Sequence, residues 1–256
     1  MKITHELSNQ NGLMHVTLSN PPANLLGLQE LTILKEIFES CGSLDSGVRA
    51  ICIKSSLPKT FCLGLDPVEL MPLSPGDRLA RFQMLAHMSK AALYCGRPIV
   101  CEVNGPALAG GAVLAALADF RYFSEQDGKF CFSEAKVYLP VPQFVQALVK
   151  RTVKFTSIFE TLALAKNYDA RAALDVGFAN ELFANPEDGK AKTNELIAKI
   201  TRIDPQVLQA TLREGNKSLI NTIDDFLKDP GGFRSFLTDE FFGKGLKIAI
   251  EALKPK

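Results

Sequence analysis

Two short segments have the residue types to build a reactive site from backbone alone. Thr60-Phe61-Cys62-Leu63-Gly64-Leu65-Asp66 follows one apolar, strand-like run. Asn104-Gly105-Pro106-Ala107-Leu108-Ala109-Gly110-Gly111 follows another and leads into a small-residue helix. Glycines at such turns let the main chain approach a ligand closely, and the first N–H groups of a helix lack intrahelical acceptors. Two facing turns could therefore give two N–H donors to an oxygen that gains charge during a reaction. Gly110-Gly111 also has a plain structural reading, as a site of tight helix packing. Other chemistries lose their markers: there is no GxGxxG after a strand, no GxxxxGK[ST], no GxSxG and no HExxH. His5, His15 and His87 lack metal-ligand spacing, and Glu134, taken alone, reads as a solvated or helix-start acid.

The elements that must hold these turns follow from periodicity. Residues 13–18 alternate as a strand and stop at Asn20-Pro21-Pro22; Leu28, Leu31, Leu34, Ile37, Phe38 and Cys41 recur at helical spacing up to Gly42. Residues 48–53 and 98–103 read as buried strands, with a short helix through Glu69 and Leu70 and a longer one over 77–94 between them. A helix over 110–117 and a strand pair at 121–123 and 129–132 follow. Strands alternating with helices predict an α/β domain whose loops at strand ends carry the site. Beyond Pro140 the strand signals thin out: 144–149, 155–165, 170–176 and 191–203 read as helices. The chain from Pro205 reads as wholly helical, with a break at Pro230-Gly231-Gly232. Leu246, Ile248, Ala249, Ile250 and Leu253 make the last helix apolar enough to pack on its own core or on another subunit.

Composition narrows the function classes. With 46% hydrophobic and 22% charged residues in 256, the chain has the makings of a globular fold with a sizeable core. Lys plus Arg number 29 against 28 Asp plus Glu, so the basic excess that nucleic acid would require is missing. The longest small-and-apolar stretch, 107–118, is too short for a membrane-spanning helix, and no membrane insertion is expected. Six cysteines without a CxxC pair read as buried, reduced thiols of a cytoplasmic protein.

Together the two glycine turns resemble the paired signatures of the crotonase (enoyl-CoA hydratase/isomerase) superfamily. Leu18-Ser19-Asn20-Pro21-Pro22-Ala23-Asn24 is similar to its first strand and turn, and 98–119 to its strand, oxyanion loop and buried helix. The likeness continues through Glu134 and over 170–183. It implies an α/β fold, a crotonase-like spiral of ββα units with a helical C-terminal part. Residues 1–200 would form the core with the active site, and 201–256 a helical region for self-association into a homo-trimer or hexamer. It also implies an acyl-CoA thioester substrate, with no cofactor beyond the coenzyme A of the substrate itself. Carried over position by position, the oxyanion donors are the N–H groups of Leu65 and Gly110. Substrate contacts fall to Ala23, Asn24, Phe61, Cys62, Gly64, Asp66, Gly111, Val113 and Leu139. Lys244 and Lys247 could meet phosphates or simply face solvent.

The hydratases of this superfamily hold water between two glutamates. The first belongs three residues beyond Gly110, where this chain has Val113; the second corresponds to Glu134. One acid without the other resembles the mitochondrial-type Δ3,Δ2-enoyl-CoA isomerases, with Glu134 as the catalytic base. The dienoyl-CoA isomerases' further acid would fall at Pro142. Phe132, Val113, Leu139 and Phe144 are candidates for a dry wall around the carboxylate. Two alternatives stand beside this reading: a hydratase recruiting Glu69 or Glu102 as its second acid, or another acyl-CoA thioester-enolate reaction such as decarboxylation on the same scaffold; and a non-catalytic acyl-CoA binder.

Overall fold

The computed structural model describes residues 2–8 and 10–254. The chain begins with β1 (Ile3–Leu7), β2 (Leu13–Leu18), α1 (Leu28–Cys41), β3 (Ala50–Ser55), α2 (Pro67–Leu70), α3 (Pro75–Cys95) and β4 (Ile99–Val103). It continues through β5 (Pro106–Leu108), α4 (Gly110–Ala116), β6 (Phe120–Ser124), β7 (Lys129–Cys131), a 3-10 turn (Glu134–Val137), α5 (Gln143–Thr152) and α6 (Ile158–Leu162). Then come β8 (Tyr168–Asp169), α7 (Ala170–Asp175), β9 (Glu181–Phe183), α8 (Pro186–Ile200), α9 (Pro205–Lys228) and α10 (Lys244–Ala252).

The strands form two sheets, one ordered β1-β2-β3-β4-β6-β9 and a smaller one ordered β5-β7-β8. Each turn of the spiral sends one strand to the large sheet and its successor to the small sheet or the loop beside it. The inner strands of the large sheet run parallel and bury apolar residues on both faces, with His15, Lys54 and Glu102 as polar exceptions on the face toward α8. Val16, Ile51 and Ile53 join the main core with Leu34 and Phe38 of α1 and Leu85 and Met88 of α3. On the opposite face Leu13, Ala50 and Cys52 meet Ile197 and Ile200 of α8. The ends of α1 and α3 fit their residues: the Glu30 carboxylate accepts from the Gly27 N–H, and Ser74 caps α3 by accepting from the Asp77 N–H. Leu219, Ile223 and Phe226 of α9, and Leu246 of α10, belong to the same core as the sheet. All six cysteines are free and buried. No helix among the described residues is long and apolar enough to cross a membrane.

Several expectations change. The segments read as a strand pair, β6 and β7, lie in different sheets: β6 runs parallel between β4 and β9, while β7 sits between β5 and β8. Strands β1, β5, β8 and β9 carried no usable pattern, because two or three residues show no alternation and β1 is mostly exposed. The helix read over 155–165 is a 3-10 turn followed by the short α6, and the helix read over 191–203 begins earlier, at Pro186 under an Asn185 cap.

Arg78 joins the C-terminal segment to the core. Its side chain, 1% exposed, donates to the carbonyls of Leu70, Met71 and Leu237 and pairs with Asp239 at 2.8 Å. Arg78→Met should lower the urea midpoint, at a cost of about 3 kcal/mol, since two buried carbonyls and one half-buried carbonyl lose their donor. Asp239→Ala, which removes only the exposed partner, should cost less than about 1 kcal/mol in the same measurement.

Candidate active site

Three chain segments are laced side by side by main-chain bonds. The Leu63 N–H donates to Ala23 O, Leu26 N–H to Gly64 O and Asp66 N–H to Leu26 O; Phe61 and Cys62 N–H both donate to Pro106 O, and Leu108 N–H to Cys62 O. Since Leu26 bridges Leu65 through its two neighbours, the Leu65 N–H is left facing away from that bond pair. Gly64 has φ +99°, and a side chain there would come within 2.9 Å of the Gly110 nitrogen. A Cβ on Gly110 would in turn lie 3.2 Å from the Leu65 nitrogen. The two turns are thus in contact. Gly110 is the first residue of α4, and neither its N–H nor that of Leu65 has an acceptor among the described residues. Ala109 sets the direction of Gly110 from φ +46°, ψ −118°, a conformation that costs a non-glycine residue about 1–3 kcal/mol.

Leu65, Gly110, Val113, Glu134 and Leu139 share the wall of one cavity of about 770 Å³, counting its open mouth. The rest of the wall is apolar and comes mostly from helices: Leu70, Phe82, Leu85, Val145, Leu246 and Ala249 are among its residues, with Ser133 the other hydrogen-bonding side chain. Glu134 starts the 3-10 turn that follows β7. One of its carboxyl oxygens is buried without a partner, and burial pushes its pKa from 4.5 up to about 7. The last helix closes over this turn through Gly245, where a Cβ would lie 1.9 Å from Val137 O. A carboxyl that titrates near neutrality, facing the same cavity as two unoccupied N–H donors, can take a proton from carbon while a carbonyl oxygen gains charge.

The remaining expected contacts support the site from behind. Asn24, 1% exposed, donates to Ser55 Oγ and Phe61 O, both at 2.8 Å, so its amide group ties turn to loop. Phe61 and Cys62 are fully buried, and the Cys62 thiol donates to Asn24 O. Asp66 caps α2 by accepting from the N–H groups of Val68 and Glu69. Gly111 is the tight-packing position: a Cβ there would meet Cys62 O at 2.0 Å. None of these four side chains, nor Ala23, lies on the cavity wall. Of the expected dry wall, Val113 and Leu139 line the cavity. Phe132 and Phe144 do not; Phe132 packs edge-on against Phe130 and Phe178, and Phe144 lies tilted against Phe226. The apolar repeat of the last helix was the signal for the wall that sequence reasoning missed, for Leu246, Ala249 and Leu253 all face the cavity. Ser133 had no such signal.

The raised pKa of Glu134 fixes the sign of a stability change. The folded chain binds this proton more tightly than the unfolded one, so the contribution is complete below pH 4.5 and is lost as pH rises through 7. At ~1.4 kcal/mol per unit this amounts to about 3 kcal/mol. Denaturant titrations at pH 5 and pH 8 should show the native chain losing that much relative to Glu134→Gln; parallel curves would mean the carboxyl is solvated.

With this geometry in view, comparisons with known proteins place the chain. The profile of the family described as enoyl-CoA hydratase/isomerase matches residues 8–256. Mitochondrial enoyl-CoA delta isomerase 1 of Mus musculus is 25% identical over 265 residues, covering 100% of this chain and 88% of that protein. A probable enoyl-CoA hydratase of Bacillus subtilis is 26% identical over 247 residues, covering 94% and 93%. The crystal structure of human mitochondrial delta3-delta2-enoyl-CoA isomerase superposes with a TM-score of 0.91 at 22% identity, over 99% of this chain and 98% of that one, so the fold is that of the crotonases. The chain belongs to the enoyl-CoA hydratase/isomerase family.

Proposed function

We propose that this protein is a Δ3,Δ2-enoyl-CoA isomerase, converting a 3-enoyl-CoA to the conjugated 2-trans-enoyl-CoA. The observation that carries this reading is that Glu134 is the one ionisable side chain on the cavity wall among the described residues. The hydratases that this chain resembles hold and activate their water between two acids. Beside Glu134 the wall has no second acid, Ser133 being its other hydrogen-bonding side chain, and Val113 fills the place from which a second glutamate would reach. The two acids that could have substituted are committed elsewhere. Glu69 accepts from the Leu28 N–H and pairs with Arg81 at 2.8 Å, and Glu102 lies on the far face of the large sheet.

The steps follow from the site. Glu134, as carboxylate, takes a proton from C2 of the acyl chain, and the electron pair moves onto the thioester oxygen. The Leu65 and Gly110 N–H groups stabilise that oxygen, each donor contributing about 2.7–4 kcal/mol at the transition state. Collapse of the dienolate returns the proton from Glu134 to C4, leaving the double bond between C2 and C3. No other proton carrier is needed, and the dry wall keeps water from reaching the intermediate. The coenzyme A arm would enter past Ala23 and the 61–66 loop. Self-association as a trimer or hexamer belongs to the same reading, supported by the exposed Phe155, Phe159 and Leu164 around α6. A cytoplasmic setting is part of it too, on the strength of the six reduced thiols, although the mouse and human relatives are named mitochondrial.

Incubation with a 3-enoyl-CoA should raise the ultraviolet absorbance of the conjugated thioester without accumulating 3-hydroxyacyl-CoA; predominant hydration would overturn the isomerase reading. Glu134→Gln should bind acyl-CoA as the native chain does and lose about 10²–10⁴-fold in kcat. Acyl-CoA binding with no exchange of the C2 proton in deuterated water would identify a binder instead. In the native enzyme kcat/KM should fall about tenfold per pH unit below 7 and level off above it, because only the carboxylate accepts the proton.

A further inference from the structure

The cavity that holds Glu134 has a closed end, built by the turn that precedes α10. Residues Asp239–Gly243 form a single π turn, in which the Gly243 N–H donates to Thr238 O at 3.0 Å. A π turn holds one residue more than an α turn and resets which side chains face inward after it. Phe242, Leu246, Ala249 and Leu253 then lie on one helical stripe, and all four line the cavity. The neighbouring Phe241 is exposed and packs on Phe236 instead. Burial falls along the stripe. Phe242 and Leu246 are buried, whereas Ala249 and Leu253 are half-buried, as are Leu25 and Leu63 on the loops that also line the cavity. At the buried end Phe242 meets Phe82 of α3, with ring centroids 5.7 Å apart and planes tilted by 59°. Phe233, which does not line the cavity, packs edge-on against Phe82 at 5.0 Å and backs the pair.

An acyl tail that runs down this stripe ends against two rings. From Leu253 to Phe242 the wall is eleven residues long, about 16 Å of helix. An extended alkyl chain advances about 1.3 Å per carbon, so the whole wall matches a tail of about 12 carbons. The thioester takes up part of that depth, because Leu65 and Gly110 grip it inside the cavity. We propose that Phe82 and Phe242 set the chain-length limit of this protein, selecting short- and medium-chain acyl-CoA esters, of at most about 12 carbons, over long-chain ones. The inference rests on the acyl-CoA reading of the cavity and adds the substrate class to it. The limit is steric: the rings are packed into the main core, and pushing them aside for extra methylenes meets the resistance of a filled interior.

Calorimetric binding of saturated acyl-CoAs, from butyryl- to palmitoyl-CoA, tests this without turnover. Affinity should climb about fourfold per methylene while the tail lies along the apolar wall, and stop climbing at or before lauroyl-CoA. Phe242→Ala should bind butyryl-CoA as the native chain does and gain about tenfold or more for myristoyl-CoA, the worth of two buried methylenes. Phe242→Leu, which keeps apolar packing, should move the limit the same way by a smaller step, and it decides the matter if the alanine variant does not fold. Phe241→Ala, the same substitution on the outward-facing neighbour, should leave the series unchanged. A native climb that continues through palmitoyl-CoA, or a limit that stays in place in the Phe242 variants, overturns the proposal and leaves acyl-CoA binding standing. Failure to bind an acyl-CoA of any length overturns the functional reading together with it.

Discussion

A carboxyl group held against apolar walls with one oxygen unpaired is the constraint around which this fold is arranged. Ionising it in place costs about 3 kcal/mol, a large share of the ~5–15 kcal/mol that holds a domain together. The rest of the molecule must supply that margin and keep water from relieving the strain. The aromatic cluster of Phe123, Phe130, Phe132 and Phe178 anchors β7 immediately before the acid, and the close contact of Gly245 with Val137 presses the last helix over it. The C-terminal helices therefore serve the site from within the same core as the sheet, whatever part they have in self-association.

The opposing requirement is that two main-chain donors stay unsatisfied. Leu26, Cys62, Leu63, Gly64, Asp66, Pro106 and Leu108 each take part in a main-chain bond between the three segments, which holds the turns in place around the Leu65 and Gly110 N–H groups. Preorganisation here comes from this lacing on either side of the two donors. The positive φ of Ala109 is the local strain that accompanies it.

Much of this was legible in the residues because the informative features are local. Paired glycines at strand-to-helix turns mark close backbone approach, and α1, α3 and α4 have clean spacing and stops. Fold and family followed from the order of those motifs. What was not legible depended on tertiary placement. Asn24, Phe61 and Cys62 have the right positions for substrate contact, but their hydrogen bonds go to holding the loops. The walls contributed by Phe82, Leu85 and Val145 are ordinary helix core positions in sequence, distinguishable only once the helices converge on one cavity. The short strands of the small sheet are set by their partners rather than by their own two or three residues.

The distribution of the thiols has a practical side. Cys41, Cys52, Cys62, Cys95, Cys101 and Cys131 are each at most 2% exposed, and they mark the ends of α1 and α3, the middles of β3 and β4, the first glycine turn and β7. Burial also lifts their pKa values, leaving little thiolate for an alkylating reagent to attack. Each can be modified only when its own neighbourhood opens, so the wild-type chain carries six built-in reporters of local unfolding. A cysteine added to the surface would be the one site that takes a maleimide dye while the protein stays native.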